Sequence, residues 1–170
     1  MLATNESERY ILHLNSALAM ESALVDHLDE RADAVTDTRA RQRILQHRDE
    51  TLQHRATVKD IIVELNGDPT FTKAVVQSPV TPDFVGRVMT GLESENEDRQ
   101  LREDLADFAL ENYEAALYSS LALIARNLGY PEHVAKFEAI RNQEQDMADF
   151  IESNQPAMVR QAFPPLPQAA

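Results

Sequence analysis

Three glutamates of this sequence occupy positions where helix packing calls for an apolar side chain. Glu21, Glu114 and Glu144 each fall at the centre of an apolar stripe with helical spacing. An unpaired carboxylate in such a core is costly, and glutamate is therefore seldom buried without a partner. Carboxylates that converge with imidazoles inside a protein are ligands for divalent transition-metal ions. The pattern therefore suggests a buried metal site.

A fourth segment adds imidazoles to these carboxylates. His47 and His54 share the apolar face of this segment, with Glu50 at its edge, and Glu111 lies one turn before Glu114 in its own segment. His47 is either a ligand or a hydrogen-bonding partner of one. This mixture of donors suits iron or manganese, with zinc as an alternative, and does not suit calcium. The candidate ligands are Glu21, Glu50, His54, Glu111, Glu114 and Glu144, with His47 as a further candidate.

Five segments with helical periodicity position these residues. Asn5 with Glu8 forms a capping box at the first start, Asn66–Pro69 stops the second segment, and Gly129 ends the fourth. The sequence predicts helices over residues 5–34, 38–65, 81–91, 98–128 and 131–153.

The connections between these segments predict the fold. Two tight turns make antiparallel helical hairpins, and a link of roughly 30 residues, which contains the short helix, joins the hairpins. We therefore predict an all-α, four-helix bundle of the ferritin-like type with a long crossover, formed by residues 1–153. Residues 154–170 contain four prolines and are expected to be an extended or disordered tail.

Distance along the helices predicts that the polar residues meet at one level. Glu21 lies about four helical turns before the chain reversal near residue 36, and Glu50 and His54 lie about four to five turns after it. Around the reversal near residue 130, Glu114 and Glu144 each lie about four helical turns away, on opposite sides. Because helical rise is constant, both hairpins bring these groups to the middle of the bundle. Carboxylates gathered there would repel one another unless protonated or bound to cations.

Composition narrows the function classes. The 170-residue chain has no Cys, which excludes disulfides and thiol chemistry, and a formal net charge of −13, which disfavours nucleic-acid binding and DNA protection by a shell. The longest apolar run has five residues, so no membrane span is expected, and nothing at the start resembles a signal peptide. We expect a cytoplasmic protein.

Two sequence stretches resemble the YciE/YciF family of ferritin-like proteins across residues 5–153. HRDETLQH at residues 47–54 is similar to the family's HLEETxxH, and ENYEAALY at residues 111–118 is similar to EHYEIAxY. Glu144 matches the end of an EEE run, whose first two positions here are Asn142 and Gln143. The resemblance implies a ferritin-like bundle, often dimeric, with a dinuclear metal site and a link to stress responses.

The match departs from a typical ferritin-like ligand set. Glu50 and His54 are spaced i, i+4 instead of i, i+3, and Met147 and Ala148 occur where a second histidine is expected. The pair of Glu111 and Glu114 is the candidate replacement. Among the aromatic residues, Tyr118 is interpreted as core packing, with hydrogen bonding to a ligand or electron transfer as the alternative.

Two functions follow from these observations. The first is a homodimeric protein with a di-iron or di-manganese site that oxidises Fe(II) or reduces O₂ or peroxide, as a ferroxidase or peroxide scavenger. The second is a non-catalytic helical module for stress or partner binding that retains a vestigial metal site.

Overall fold

The computed structural model describes residues 5–70 and 99–163. These residues form four long helices and no strand, which confirms the all-α bundle. The short helix expected at 81–91, most of the crossover and residues 164–170 lie outside the described residues. The helices are α1 (Glu6–Ala34), α2 (Thr38–Glu64), α3 (Arg99–Leu128) and α4 (Pro131–Ala162).

Local signals account for most of the helix ends. The side chain of Asn5 accepts a hydrogen bond from the Glu8 backbone N–H at 3.1 Å, and Asp37 caps α2 in the same way through Ala40 at 2.8 Å. After α3, Gly129 adopts a φ of 82°, a conformation that costs glycine little. Both predicted ends of the first two long helices, and the predicted end of the third, are therefore confirmed to within a residue.

The last helix is longer than expected. We predicted an end near Ser153, and this is wrong, because α4 continues through Pro156 to Ala162. Proline removes one backbone hydrogen bond and normally ends or kinks a helix. Here the last turns of α4 lie against the first turn of α3, where Met158 and Gln161 line a shallow cleft with Leu101. Contact with α3 thus favours a helical conformation in a segment that the prolines had led us to predict as an extended tail.

Two apolar clusters hold the bundle together, and they occupy different levels along its axis. α1 packs mainly against α2 and α3 mainly against α4, which gives the two expected hairpins. The large cluster is formed by Tyr10, Leu14, Ala17, Leu18, Val58, Ile61, Ile62, Tyr118, Leu121, Ala122, Ala125, Phe137 and Ile140. The small cluster is formed by Leu28, Ala32, Val35, Ile44, Met147 and Ile151. On α1, α2 and α4 the polar residues singled out above lie between the two clusters in sequence, and on α3 they lie between Tyr118 of the large cluster and Phe108, which packs against the small one. Among the described residues, no helix is long and apolar enough to cross a membrane.

A buried arginine ties α1 to α3. Arg31 donates hydrogen bonds to Asp107 at 2.7 Å, to Glu103 at 2.7 Å and to Asp104 at 2.6 Å. Burial raises the pKa of Asp104, the guanidinium opposes this shift, and the neighbouring acids add to it, so that the pKa is about 6. His27 lies 2.9 Å from Asp107 and joins the same network. The network needs the positive charge of Arg31, because the three carboxylates lie together with little access to water.

Replacement of Arg31 by methionine should destabilise the fold by about 3–5 kcal/mol at neutral pH, because three partly buried carboxylates lose their cation. The folded-state pKa of Asp104 is raised, so its contribution to stability is present in acid and is lost as the pH rises through about 6. We therefore expect the deficit of the variant to be larger at about pH 8 than at about pH 5. Urea unfolding followed by circular dichroism measures both values.

Arg41→Met is the matched control. Arg41 pairs with Asp33 at the surface, where their side chains are 52% and 82% exposed, and its loss should cost at most about 1 kcal/mol. Equal deficits for Arg31→Met and Arg41→Met, or no pH dependence of the first, would contradict a buried ionic tie.

Candidate metal centre

A buried polar layer separates the two apolar clusters. All four helices contribute to it, and each of its residues is at most 3% exposed. The layer contains Glu21 from α1, His47 and His54 from α2, Glu111 and Glu114 from α3, and Glu144 from α4. Five of the six predicted ligands therefore lie in one layer, together with His47.

Glu144 lies at the centre of this layer because it takes part in two ligand groups. In the first group, Nδ1 of His54 is 2.8 Å from Oε1 of Glu144 and 3.7 Å from Oε2 of Glu21. In the second group, Nε2 of His47 is 3.4 Å from Oε2 of Glu144 and 3.0 Å from Oε2 of Glu111. Each oxygen of Glu144 thus faces a different histidine. A carboxylate in this position can bridge two neighbouring cations.

Both imidazoles are oriented by a partner outside the groups. Nε2 of His54 lies 2.8 Å from Oε1 of Gln143, and Nδ1 of His47 lies 3.2 Å from Oε2 of Glu50. Because these partners accept hydrogen bonds, we assign the proton of each neutral ring to its outer nitrogen. The inner nitrogen then presents its lone pair to the layer, as a metal-ligating histidine does.

Glu50 lies beside the layer and in neither ligand group. Its carboxylate accepts hydrogen bonds from Arg43 at 3.1 Å and from Gln46 at 2.8 Å, in addition to its contact with His47. Burial opposes its ionisation, but these three partners outweigh that effect and hold the pKa of Glu50 at about 2. The structure therefore places Glu50 as the carboxylate partner of His47, and its direct ligation of a metal stays a prediction.

Tyr118 contacts a candidate ligand, although the sequence analysis interpreted it as core packing. Its hydroxyl donates a hydrogen bond to Oε1 of Glu21, and this leaves Oε2 of Glu21 facing His54. The signal for this contact was present, because Tyr118 follows Glu114 by four residues and so shares its helix face. The ring also belongs to the large apolar cluster, so both interpretations hold.

The layer holds more negative charge than its hydrogen bonds satisfy. Burial raises the pKa of Glu114 well above its usual range, and the charges of Glu144, Glu21 and Glu111 raise it further. Burial also raises the pKa of Glu111, against the opposing effect of His47, to about 7. While the rings are neutral, six buried carboxylate oxygens of the layer have no hydrogen-bond donor: Glu21 Oε2, Glu111 Oε2, and both oxygens of Glu114 and of Glu144.

The surrounding carboxylates also favour the positively charged form of the two histidines. Burial lowers the pKa of His47 and His54, but the carboxylates around each ring outweigh burial and raise both pKa values to about 10. The rings of a metal-free protein therefore carry protons in place of a cation. Buried carboxylate oxygens without donors, set beside oriented imidazoles, are a donor set that fits iron, manganese or zinc.

The structure also explains why α4 supplies no histidine to the polar layer. Met147 and Ala148 are buried, and Met147 packs in the small apolar cluster, so neither position serves the polar layer. The second imidazole comes from α2 instead, because His47 and His54 are seven residues apart and therefore share one helix face.

A protein-family model described as "Domain of unknown function (DUF892)" matches residues 5–163. The match covers the polar layer and runs to the end of α4, including the turns beyond Ser153.

Two solved structures are similar along nearly the whole chain. A protein from Xanthomonas campestris pv. campestris is 26% identical with a TM-score of 0.69, and the match covers 91% of this chain and 94% of that protein. The Escherichia coli stress protein YciF is 21% identical with a TM-score of 0.79, and the match covers 92% and 98%. The family match and these similarities together show that this chain belongs to the DUF892 family, the YciE/YciF family of ferritin-like proteins.

Proposed function

We propose that this protein holds two metal ions in the polar layer, with Glu144 as the bridge, and that it oxidises Fe(II) with peroxide or O₂. The observation that carries the proposal is the position of Glu144 in two ligand groups, with one oxygen toward His54 and the other toward His47. A site built for a single ion has no need of this arrangement.

The electrostatics of the layer support cation binding in preference to a vestigial core. Four buried carboxyl groups lie together. The oxygens of Glu114 have no donor among the described residues, and those of Glu144 depend on protonated histidines. Such groups cost stability unless a cation compensates them. Two divalent ions would neutralise four carboxylates and replace the protons that the two histidines otherwise hold.

The donor set favours iron, with manganese or zinc as alternatives. Oxygen donors dominate and imidazole supplies one nitrogen to each group, a mixture used by iron and manganese carboxylate proteins. Metal bound in this layer would supply redox chemistry, and the chain's own residues would hold the ions close together and exclude water from them. The two apolar clusters on either side make that exclusion effective.

Two adjacent ferrous ions match the electron demand of peroxide. As substrates, each gives one electron, so that 2 Fe²⁺ + H₂O₂ + 2 H⁺ yields 2 Fe³⁺ + 2 H₂O. Removal of peroxide together with free Fe(II) would protect a cell from oxidative damage, and the relative from Escherichia coli is named a stress protein. For this chain, peroxide scavenging, a homodimeric state and a cytoplasmic location are parts of the proposal.

Metal analysis of freshly purified protein should find two ions per chain. Addition of Fe(II) under argon, or of Mn(II), should raise the melting temperature, because a ligand that binds only the folded state stabilises it by about 2.7 kcal/mol at a concentration of 100 Kd. Glu144→Gln should abolish this increase, since it removes the shared ligand, and the metal-free variant should be at least as stable as the metal-free parent.

Glu138→Gln serves as the control for this variant. Glu138 lies on the same helix but is 48% exposed and pairs with Arg126 at the surface. It should bind metal like the parent protein. Melting that is unaffected by every metal in the parent protein would remove the basis of the proposal.

A second pair of variants separates ligands from orienting partners. Glu50→Gln should weaken metal binding about 10–100-fold while two ions per chain still bind, because it only loosens the orientation of His47. Glu111→Gln should reduce the stoichiometry from two ions to one, because it removes a member of the second group. Isothermal titration with Mn(II) measures both quantities, and loss of one ion in Glu50→Gln would instead make Glu50 a ligand.

Ferrous oxidation tests the catalytic part of the proposal. Protein loaded with Fe(II) under argon should consume added H₂O₂ with two Fe(II) oxidised per peroxide, faster than Fe(II) in buffer, as measured with a ferrous chelator in a quenched-flow experiment. Glu144→Gln should return the rate to that of buffer iron, and Glu138→Gln should not. Tight metal binding without accelerated oxidation would favour the alternative, a non-catalytic helical module.

A further inference from the structure

A chain of aromatic rings runs from the polar layer through the large apolar cluster. The hydroxyl of Tyr118 is hydrogen-bonded to Glu21, and the centroid of its ring lies 6.0 Å from that of Phe137. The ring centroid of Phe137 lies 6.5 Å from that of His133. His133 stacks on Tyr130 at 4.9 Å. These centroid distances leave no gap between successive rings, so the rings connect the layer to the end of the bundle where α4 begins.

Tyr10 joins this chain at its far end and has a partner for its proton. Its ring lies 6.1 Å from His133 and 6.0 Å from Tyr130, and its hydroxyl lies 3.3 Å from Nδ1 of His133. On the other side of the imidazole, Nε2 is 3.4 Å from a carboxylate oxygen of Glu64, whose side chain is 56% exposed. The carboxylate favours the proton on Nε2, so Nδ1 is the nitrogen that accepts from Tyr10.

The Tyr10 phenol needs such a partner if it is to lose an electron. Tyr10 is 1% exposed, and burial, together with the charges of Tyr130 and Glu64, raises its pKa well above the usual range. The phenol is therefore protonated at neutral pH. A phenol that loses an electron becomes a strong acid, so its oxidation proceeds readily only when a base within hydrogen-bonding reach takes the proton.

Composition makes tyrosine the side chain available for this chemistry. The sequence has no Trp and no Cys, and it has four tyrosines, of which Tyr10, Tyr118 and Tyr130 belong to the ring chain. Methionine, the other oxidisable type, reacts by taking up an oxygen atom and is damaged by it.

We propose that Tyr10 is a one-electron donor to the metal centre, with the ring chain as the path of the electron and His133 as the acceptor of the phenolic proton. This inference rests on the proposed function, since it needs an oxidant at the polar layer, and the oxidant is peroxide. The exposed carboxylate of Glu64 lies 3.4 Å from Nε2 of the imidazole that takes this proton.

The relay acts when only one ferrous ion is present. One Fe(II) gives peroxide a single electron and leaves it half reduced, which is the condition that releases hydroxyl radical. With Tyr10 as the second donor and His133 as the base, the step balances as Fe²⁺ + Tyr–OH + His + H₂O₂ + 2 H⁺ → Fe³⁺ + Tyr–O• + His–H⁺ + 2 H₂O. The phenolic proton goes to His133, and the radical forms in the large apolar cluster, on the opposite side of the layer from Met147.

Freeze-quench electron paramagnetic resonance tests the relay in full-length protein given too little Fe(II) to fill both positions and then H₂O₂. The parent protein should form a tyrosyl radical, and Tyr10→Phe should lower its yield severalfold and raise the sulfoxide content of Met147 in peptide mass spectra. His133→Gln should lower the yield while Tyr10 is intact. Tyr113→Phe is the matched control and should behave like the parent, because Tyr113 lies on a different face of α3 from Tyr118.

The outcomes separate this inference from the proposed function. If Fe(II) is oxidised rapidly but Tyr10→Phe and His133→Gln match Tyr113→Phe in radical yield and methionine oxidation, the relay is wrong and the rings only pack. If Fe(II) is not oxidised faster than in buffer, the proposed function fails. The Tyr10–His133 pair is then tested in metal-free protein with a laser-generated Ru(III) tris-bipyridine oxidant. Oxidation of Tyr10 should slow in His133→Gln and in D₂O, and equal rates would overturn the pairing.

Discussion

The structure depends on one electrostatic constraint, the convergence of four buried carboxyl groups in a layer that water does not reach. Repulsion in such a layer is strong because the surroundings are apolar on both sides. The metal-free chain relieves it with protons, on Glu114 and on the two histidines. At the histidines these protons occupy nitrogens of the two groups that could hold a metal ion. The negative charge that costs the layer stability is therefore also the charge that a bound cation would neutralise.

The residues around the layer orient its candidate ligands. Glu50 and Gln143 hold the outer nitrogens of the histidines, and Tyr118 holds one oxygen of Glu21, so that the free atoms of these ligands face inward. Two of these three contacts join different helices, since Gln143 of α4 contacts His54 of α2 and Tyr118 of α3 contacts Glu21 of α1. The Arg31 network serves a different purpose, because it joins α1 to α3 beyond the layer through one guanidinium that holds three carboxylates together. Ligation, orientation and the tie between hairpins thus belong to separate groups of residues.

The helices could be predicted because their signals are local. Asn5, Asp37 and Gly129 act within a few residues of their own positions, and apolar periodicity identifies the inner face of each helix without knowledge of its neighbours. The end of α4 could not be predicted in this way. Pro156 is a local signal to stop, and the contacts that outweigh it are made with the start of α3, on a different helix and far away in sequence.

The same distinction between local signals and tertiary contacts applies to the candidate metal site. Spacing alone predicted that Glu21, Glu50, His54, Glu114 and Glu144 meet at one level, since helical rise converts residue number into height. Spacing put His47 on the inner face of its helix and Glu50 at the edge of that face, but it left both as candidate ligands. Only the packed bundle decides that His47 turns inward to Glu111 and Glu144 while Glu50 turns to Arg43. The sharing of Glu144 between two histidines is likewise a property of the assembled helices. Height is a one-dimensional quantity that a helix carries with it, whereas the direction of a side chain across the bundle depends on the helices packed around it.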